Sequence, residues 1–547
     1  MCSATARFRC AVARLSRTGT RGGRRQRGLM VVALLAIVLL IGSYFMLTSF
    51  NHAAVRVERN RATNEALAQA KAALIAYAAA DANRPGELPC PDINDDGKLV
   101  IGEDIVGSAC ASLTGRLPWI TLGLPDLRDD AGERLWYSLS NDFHANGAVP
   151  LNSDTAFRPG NVSLSLTGTT PATNLVAVIF SPGTALQRSD GVSQARGCTV
   201  GADCDATLKC TAVPATNTPK CNPRNFLDIA NGEDNADANR IFTAATRSET
   251  FNDSVMPVFS DDIMWLVERR AARELAQHLR DHYDAWQGSA VVAGTDKGFY
   301  PYAVPFGDPS TAAVGTNGTL SGMLPLATTP LTWSNASLGC SGNGTATLDC
   351  NSLVVCILGV CIPTFSAQID NVATRFVDPP TAANVNVILG VALGGSASWT
   401  MDKTNRRLNF SYGGFLVAGT AQIQVAAPPT SSWVATSWLT DNNWHQNAYY
   451  ALSQGYAIDT TGTKACGAGP LFPCVTIANT TAPTNDKQAV IVMTGRALGS
   501  AAQATRPLAA PAALAQLLEG GNAAGSSPFE ANAKSATFND YPVAVRP

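Results

Sequence analysis

The sequence is short of the residues that do chemistry. Its 547 positions hold five histidines, and only 15% of them are charged. No Gly-x-Ser-x-Gly elbow, phosphate-binding loop or dinucleotide fingerprint occurs, and no Ser/His/Asp grouping supports hydrolysis. The chain therefore reads as a non-enzyme. Forty basic residues against forty-two acidic ones leave a formal charge of −2, so the bulk of the protein is not a polyanion binder and no nucleic acid is expected as a partner. No CxxC pair is present and no histidine lies near the cysteine sets, which leaves a zinc ribbon the weaker reading.

The cysteines that are present divide cleanly. Cys2 and Cys10 precede an apolar run, and twelve follow it. These form close, even-numbered sets: Cys90 and Cys110; Cys198, Cys204, Cys210 and Cys221; Cys340, Cys350, Cys356 and Cys361; Cys466 and Cys474. Such sets argue for local disulfides in an oxidising compartment. At this length the chain should hold two or three domains.

Residues 1–28 carry eight arginines and no acid, and Leu29 to Phe50 then runs without a charge. Twenty-two residues at 1.5 Å rise span about 33 Å, enough for a bilayer core. The basic flank would stay cytoplasmic and place the rest outside. A cleaved secretory signal is the rival, with a shorter apolar region and a small-x-small site. Here the run continues into helical spacing at Val55, Val57, Ala62, Leu67, Ala70, Leu74, Ile75 and Tyr77, and no proline appears before Pro85. A helix from about Leu29 to Asp81 would be roughly 80 Å long.

A basic leader ending in Arg27-Gly28, followed at once by such a helix, resembles type IV prepilins and the pseudopilins of type II secretion. The resemblance implies cleavage by a prepilin peptidase between Gly28 and Leu29, and partnership with other pilins or pseudopilins through the N-terminal helix. Ala33 stands where the family usually carries glutamate, which points to a minor or tip subunit. An uncleaved signal anchor is the plain alternative. Three later stretches follow the order of large pilin-like proteins: Glu87-Leu-Pro-Cys-Pro91, Gly115-Arg-Leu-Pro-Trp119 and Asp129-Asp-Ala-Gly-Glu-Arg-Leu-Trp-Tyr137. The last resembles an Asp-x-Trp-Gly-x-x-x-x-Tyr element of pseudopilin heads, with Ala131 in the aromatic's place.

The chain also repeats itself. Residues 227–258 align without a gap on 514–545 with eleven of thirty-two positions identical, among them Asn235/Asn522, Phe242/Phe529 and Thr250-Phe-Asn-Asp253/Thr537-Phe-Asn-Asp540. Trp136-Tyr-Ser-Leu-Ser140 corresponds to Tyr449-Tyr-Ala-Leu-Ser453. Asn174–Phe180 reads as a buried strand, and Ile263–Trp286 as a second helix with Leu266, Ala271, Leu275, Leu279 and Tyr283 on one face.

The expected fold class is α+β: a long N-terminal membrane-spanning helix, then two tandem pilin-like helix-plus-antiparallel-sheet heads, the second with a β-rich, disulfide-containing insertion. The boundaries are a leader at 1–28, a transmembrane and stalk helix at 29–81, a first head at 82–260, a second helix at 261–286, and a second head at 287–547 with its insertion at about 310–440. The expected location is the inner membrane, single-pass, with a periplasmic C-terminal region, moving to the cell surface or pilus on assembly. The expected function is a structural minor pilin or pseudopilin near a fibre tip. The alternative is an adhesin whose insertion binds a surface ligand.

One metal motif stands out. Asp92-Ile-Asn94-Asp-Asp96-Gly97-Lys98-Leu-Val-Ile-Gly-Glu103 matches the twelve-residue calcium loop: Asp92, Asn94 and Asp96 at positions 1, 3 and 5, the Lys98 carbonyl at 7 and Glu103 at 12. Calcium is the expected cofactor; an acidic turn is the bland reading. His278 and His282 are i, i+4 but lack a third ligand, so a solvated helix face is favoured. Trp433, Trp438 and Trp444 suit a glycan face or, more commonly, core packing.

Overall fold

The computed structural model describes residues 60–547 apart from 145–149, 156–163, 170, 212–216, 238–239, 289–299, 308–314, 317, 327–332, 335–339, 342–346, 353–355, 358–359, 362–363, 370–384, 403–406, 427–437, 458–465, 468–471, 499–502 and 504–512; within 333–426 it describes the backbone alone. Residues 60–80 are helical. Alanine-rich sequence without proline favours the helix, and Leu67, Ala70, Leu74 and Ala78 bury its inner face. Its end is built from side chains. Asp81 Oδ1 accepts from the Asn83 and Arg84 amides, and Arg270 Nη1 donates to the Ala79 and Asp81 carbonyls. A cation on the terminal carbonyls also suits the helix dipole.

The long helix Ser260–Gly288 opens with Asp261 and Asp262 in its first turn. Asp262 Oδ2 reaches back to accept from the Phe259 amide, as a capping carboxylate does. The buried stripe runs through Ile263, Met264, Val267, Ala271, Leu275, Leu279 and Tyr283. Leu266, expected on that face, is 41% exposed; it sits one residue off the stripe.

Two antiparallel four-strand sets repeat one order. In the first, Thr114–Arg116 pairs Trp136–Leu139, which pairs Ala172–Ser181, which pairs Ser254–Phe259. In the second, Ser321–Met323, Ala448–Leu452, Ala489–Met493 and Tyr541–Arg546 follow the same sequence of neighbours. The first sheet adds Leu164–Gly168 and, parallel to it, Ile241–Ala244. Both sheets are buried on both faces. Tyr137, Leu139, Ala177 and Ile179 join a core with Tyr450, Leu452, Ile491 and Met493 and with the two helices. The alternate residues Trp136, Val178 and Phe180 pack on Phe226, Leu227 and Phe242, while Tyr449, Val490 and Val492 pack on Leu517, Leu518 and Phe529.

The sequence match at the C-terminal end of each half is a match of hydrogen bonds. Asn235 donates to Asp253 Oδ2 at 2.8 Å and to the Thr243 carbonyl, and Asn522 donates to Asp540 Oδ2 at 3.0 Å and to the Glu530 carbonyl. Asp253 Oδ2 also accepts from the Asp228 amide, as Asp540 Oδ2 does from the Glu519 amide, both at 2.9 Å. The gapless alignment fails just upstream, since Asp228 pairs with Glu519 and not Ala515. Four extra residues form the Ile229–Ala230 and Glu233–Asp234 hairpin in the first half.

The expected fold class is corrected on three points. The described residues are mostly sheet, with three α-helices, at 60–80, Ser260–Gly288 and Trp438–Asp441. The two sheets are not tandem heads, because residues 65–547 form a single compact unit around a shared core. Asn442 ties the halves directly: its Oδ1 accepts from the Leu151 amide, and its carbonyl accepts from Asn152 Nδ2. No described helix is long and apolar enough to cross a membrane. The helix at 60–80 and the Ser260–Gly288 helix each bury one stripe and carry charges on the other face, as core helices do. The inner-membrane, single-pass location loses its structural support; the run Leu29–Phe50, with Gly28, Cys2 and Cys10, lies outside the described residues. The insertion is also shorter than expected, since Met323 and Trp438 both belong to the buried core. It forms a separate sheet around a hairpin of Val385–Asp402 with Arg407–Ala426.

Burial, then the charge of Asp228, pushes the Asp253 carboxyl well above its ordinary value, and burial, then Glu519, does the same to Asp540. Both groups hold protons in the native state that the unfolded chain releases near pH 4. Stability is thus fully present below that pH and falls as pH rises through the folded values, by up to about 1.4 kcal/mol per pH unit for each group. Urea unfolding across pH 4–9 should show this decline, and Asp253→Asn with Asp540→Asn should make it shallower while keeping an acceptor oxygen for both donors. An undiminished slope in the double variant would show that other groups cause it.

Candidate functional site

The acidic stretch 92–104 is the most elaborately built loop of the first half. Cys90 and Cys110 bracket it and are joined, with Cα atoms 5.4 Å apart. Asp92 organises its turn: Oδ1 accepts from the Asn94 and Asp95 amides and Oδ2 from the Gly97 amide at 2.6 Å. Gly97 has φ +80°, and a Cβ there would overlap the Trp119 indole, so only glycine fits. Burial lifts the Asp92 carboxyl to about 7; the Gly97 amide opposes this, while Asp95, Asp104 and Asp96 add to it.

A second loop, 198–221, closes over the first. It carries the disulfides Cys198–Cys204 and Cys210–Cys221. The Cys210 amide donates to the Asn94 carbonyl at 2.8 Å. Lys209 Nζ lies 3.2 Å from Asp96 and 2.5 Å from Glu103, and Lys220 Nζ lies 2.8 Å from Asp95. The Lys209 hydrogen bond, helped by Asn94, holds Glu103 below the usual carboxylate range. Burial alone would raise Asp95, but Arg116, Arg134 and Lys220 together hold it down.

Three of the five residues expected to bind calcium, Asn94, Asp96 and Glu103, thus meet through their side chains or a shared partner. Asp92 sets the turn, Asn94 Nδ2 donates to Glu103 at 2.7 Å, and Asp96 and Glu103 share one cation. Lys98 is exposed, its amide donating to Asp96. The oxygen set fits a hard cation, and the Lys209 ammonium sits between two of its members. Sequence reasoning missed Lys209 and Lys220. They lie over a hundred positions from the loop, and only the neighbouring cysteines marked their segment as structured.

Comparison with protein-family models, curated proteins and solved structures finds no match. The site therefore stands on its own geometry.

The other sequence candidates fall out differently. Cys466–Cys474 is also joined. Cys340 faces Cys350 and Cys356 faces Cys361 across antiparallel strands; their side chains lie outside the described residues. Cys90, Cys110 and His144 cluster within ligand reach, but the two sulfurs are already bonded to each other and offer no thiolate. His282 is buried and His278 half-buried on the long helix. Trp438 and Trp444 pack edge to face in the core, 6.1 Å apart, which excludes them from a glycan face; Trp433 lies outside the described residues. Asp129, of the pseudopilin-like stretch, pins its turn to the central strand by accepting from Ser181 Oγ and the Gly183 amide.

Calcium entering this loop has to displace the Lys209 ammonium. Lys209→Met should cost about 1 kcal/mol or less, because the pair is partly exposed. It should also enlarge the gain from calcium, towards about 2.7 kcal/mol at a hundred times the dissociation constant. Magnesium should do less, since it holds its waters. Thermal melts of wild type and variant in calcium, magnesium and chelator check this. Curves that coincide for both proteins would reduce the motif to an acidic turn neutralised by lysine.

Proposed function

We propose that this chain is a structural subunit of a type IV pilus-like or type II secretion-like fibre, placed at or near the tip. The reading is non-enzymatic. The observation that carries it is the helix at 60–80, whose Leu67, Ala70, Leu74 and Ala78 are fully inside the core. That helix ties the folded region to the chain segment bearing the prepilin-like Arg27-Gly28-Leu29 junction. Bulk supports a terminal position. Two four-strand sets and two helices around one core, together with an inserted sheet, are too large to recur at each rung of a tight fibre. Other pilins or pseudopilins are the partners this reading needs, and calcium would stiffen the loop at 92–103.

Adhesion is a second reading, favoured by one feature. The Val385–Asp402 and Arg407–Ala426 strands belong to a sheet separate from either core sheet. At about 3.3 Å per residue such strands reach roughly 60 Å, so the insertion can present a surface of its own to a ligand.

Processing tests the first reading. Co-expression with a prepilin peptidase should yield a mature chain starting at Leu29, and Gly28→Val should block it. Mass spectrometry of the N-terminus decides. A chain that still begins at Met1 beside an active peptidase would overturn the fibre assignment.

A further inference from the structure

Behind the loop that carries Lys220 lies a cavity of about 240 Å³ whose walls hold an excess of cations. Arg116, Arg128, Arg134, Arg196 and Lys220 line it, against the carboxylates of Asp95 and Glu133. Asp126, just outside, bridges Arg128 at 2.6 Å and Arg134 at 2.8 Å. Counting Asp126, five cations share three carboxylates, each lying within 3.8 Å of one of them, and a net charge of +2 remains. Arg116 is the unusual member. It is 3% exposed and is held between the rings of Trp136 and Phe226, 4.5 and 4.0 Å from its guanidinium carbon. Its Nη1 donates to the Arg134 carbonyl at 2.9 Å and its Nη2 to the Lys220 carbonyl at 3.4 Å. Its Nε has no hydrogen-bond partner among the described residues, and the closest carboxylate, Asp95, is 3.8 Å away.

A wall with a net positive charge favours an anion in the cavity, and guanidinium and ammonium groups are the side chains that receive oxyanions. We propose that this cavity is a binding site for an oxyanion group, a sulfate, phosphate or carboxylate, free or borne on a sugar-sized ligand. The volume suits one such unit, and no larger polymer needs to enter. Phe226 and Leu208 supply an apolar wall for the body of the ligand. Arg128 stands at the accessible side, its side chain 47% exposed, and Glu133 is the wall carboxylate bound to Arg196 at 3.3 Å.

With a net positive wall, two substitutions should move affinity in opposite directions. Arg128→Gln removes a cation and should weaken binding about tenfold, the worth of one charge-assisted hydrogen bond. Glu133→Gln removes an anion and should strengthen it severalfold. A variant that merely loosened the fold would weaken both. Isothermal titration of the full chain with sulfate, phosphate, acetate and galacturonate, against chloride at matched ionic strength, reads the outcome. Tetrahedral anions binding alone assign a sulfuryl or phosphoryl group; galacturonate binding tighter than acetate assigns a sugar-borne carboxylate. No anion exceeding chloride, or affinities unmoved in both variants, overturns the proposal.

Discussion

Each core sheet is covered on both of its faces, and most of the architecture follows from that. A strand buried on both sides must be apolar at successive positions, as Val176–Phe180 and Ala489–Met493 are. One face is served by helices, and here the Ser260–Gly288 helix meets strands of both sheets in a common core that also holds the helix at 60–80. The opposite face is served by short segments around Phe226 in the first half and Leu517 in the second. These coverings contain little regular structure, so their backbone polar groups need partners from side chains. Asn235 and Asn522 answer that need, each holding a strand edge and a buried carboxylate at once.

How much was legible in the sequence follows from the range of each signal. The buried run Asn174–Phe180 and the spacing of Ile263–Trp286 describe strand and helix from local pattern alone, and the structure places Ala172–Ser181 and Ser260–Gly288 there. Periodicity says that a face is buried but not what covers it. That is why the halves read as separate heads, whereas Asn442 bonds across nearly three hundred positions to Leu151. The edge of the stripe is blurred by one residue at Leu266, because an apolar side chain flanking the stripe looks like part of it. For the site, the acids of 92–103 were plain, while the cations facing them come from distant sequence and carry no local mark.

Comparison of the halves separates scaffold from elaboration. The Asn–Asp hydrogen bonds, the Ser248/Ser535 turn that accepts from Thr250 and Thr537, and the order of the four strands recur. The disulfide-bearing loop at 198–221 and the acidic loop it covers belong to the first half. The extra hairpin there supplies Asp234, which pairs with the fully buried Arg188. Elements common to both halves satisfy burial; those added around the acidic loop of the first half concentrate charge.

Concentrated charge needs a different kind of support from a sheet. The cluster under the 198–221 loop consists of Cys198, Cys204, Cys210 and Cys221 with Ile93, so the cystine sulfurs themselves are most of its apolar interior. Surface ion pairs such as Lys209 with Glu103 contribute little on their own, and long side chains lose entropy when held in register. Two short covalent loops restrict the backbone that carries those side chains before any charge is paired. Lys209 and Lys220 are thereby carried on a braced frame, one on the acidic loop and the other at the wall of the cationic cavity. The opposite charges meet there in direct ion pairs, Lys209 with Glu103 at 2.5 Å and Lys220 with Asp95 at 2.8 Å, and the covalent frame fixes where along the chain those pairs can form.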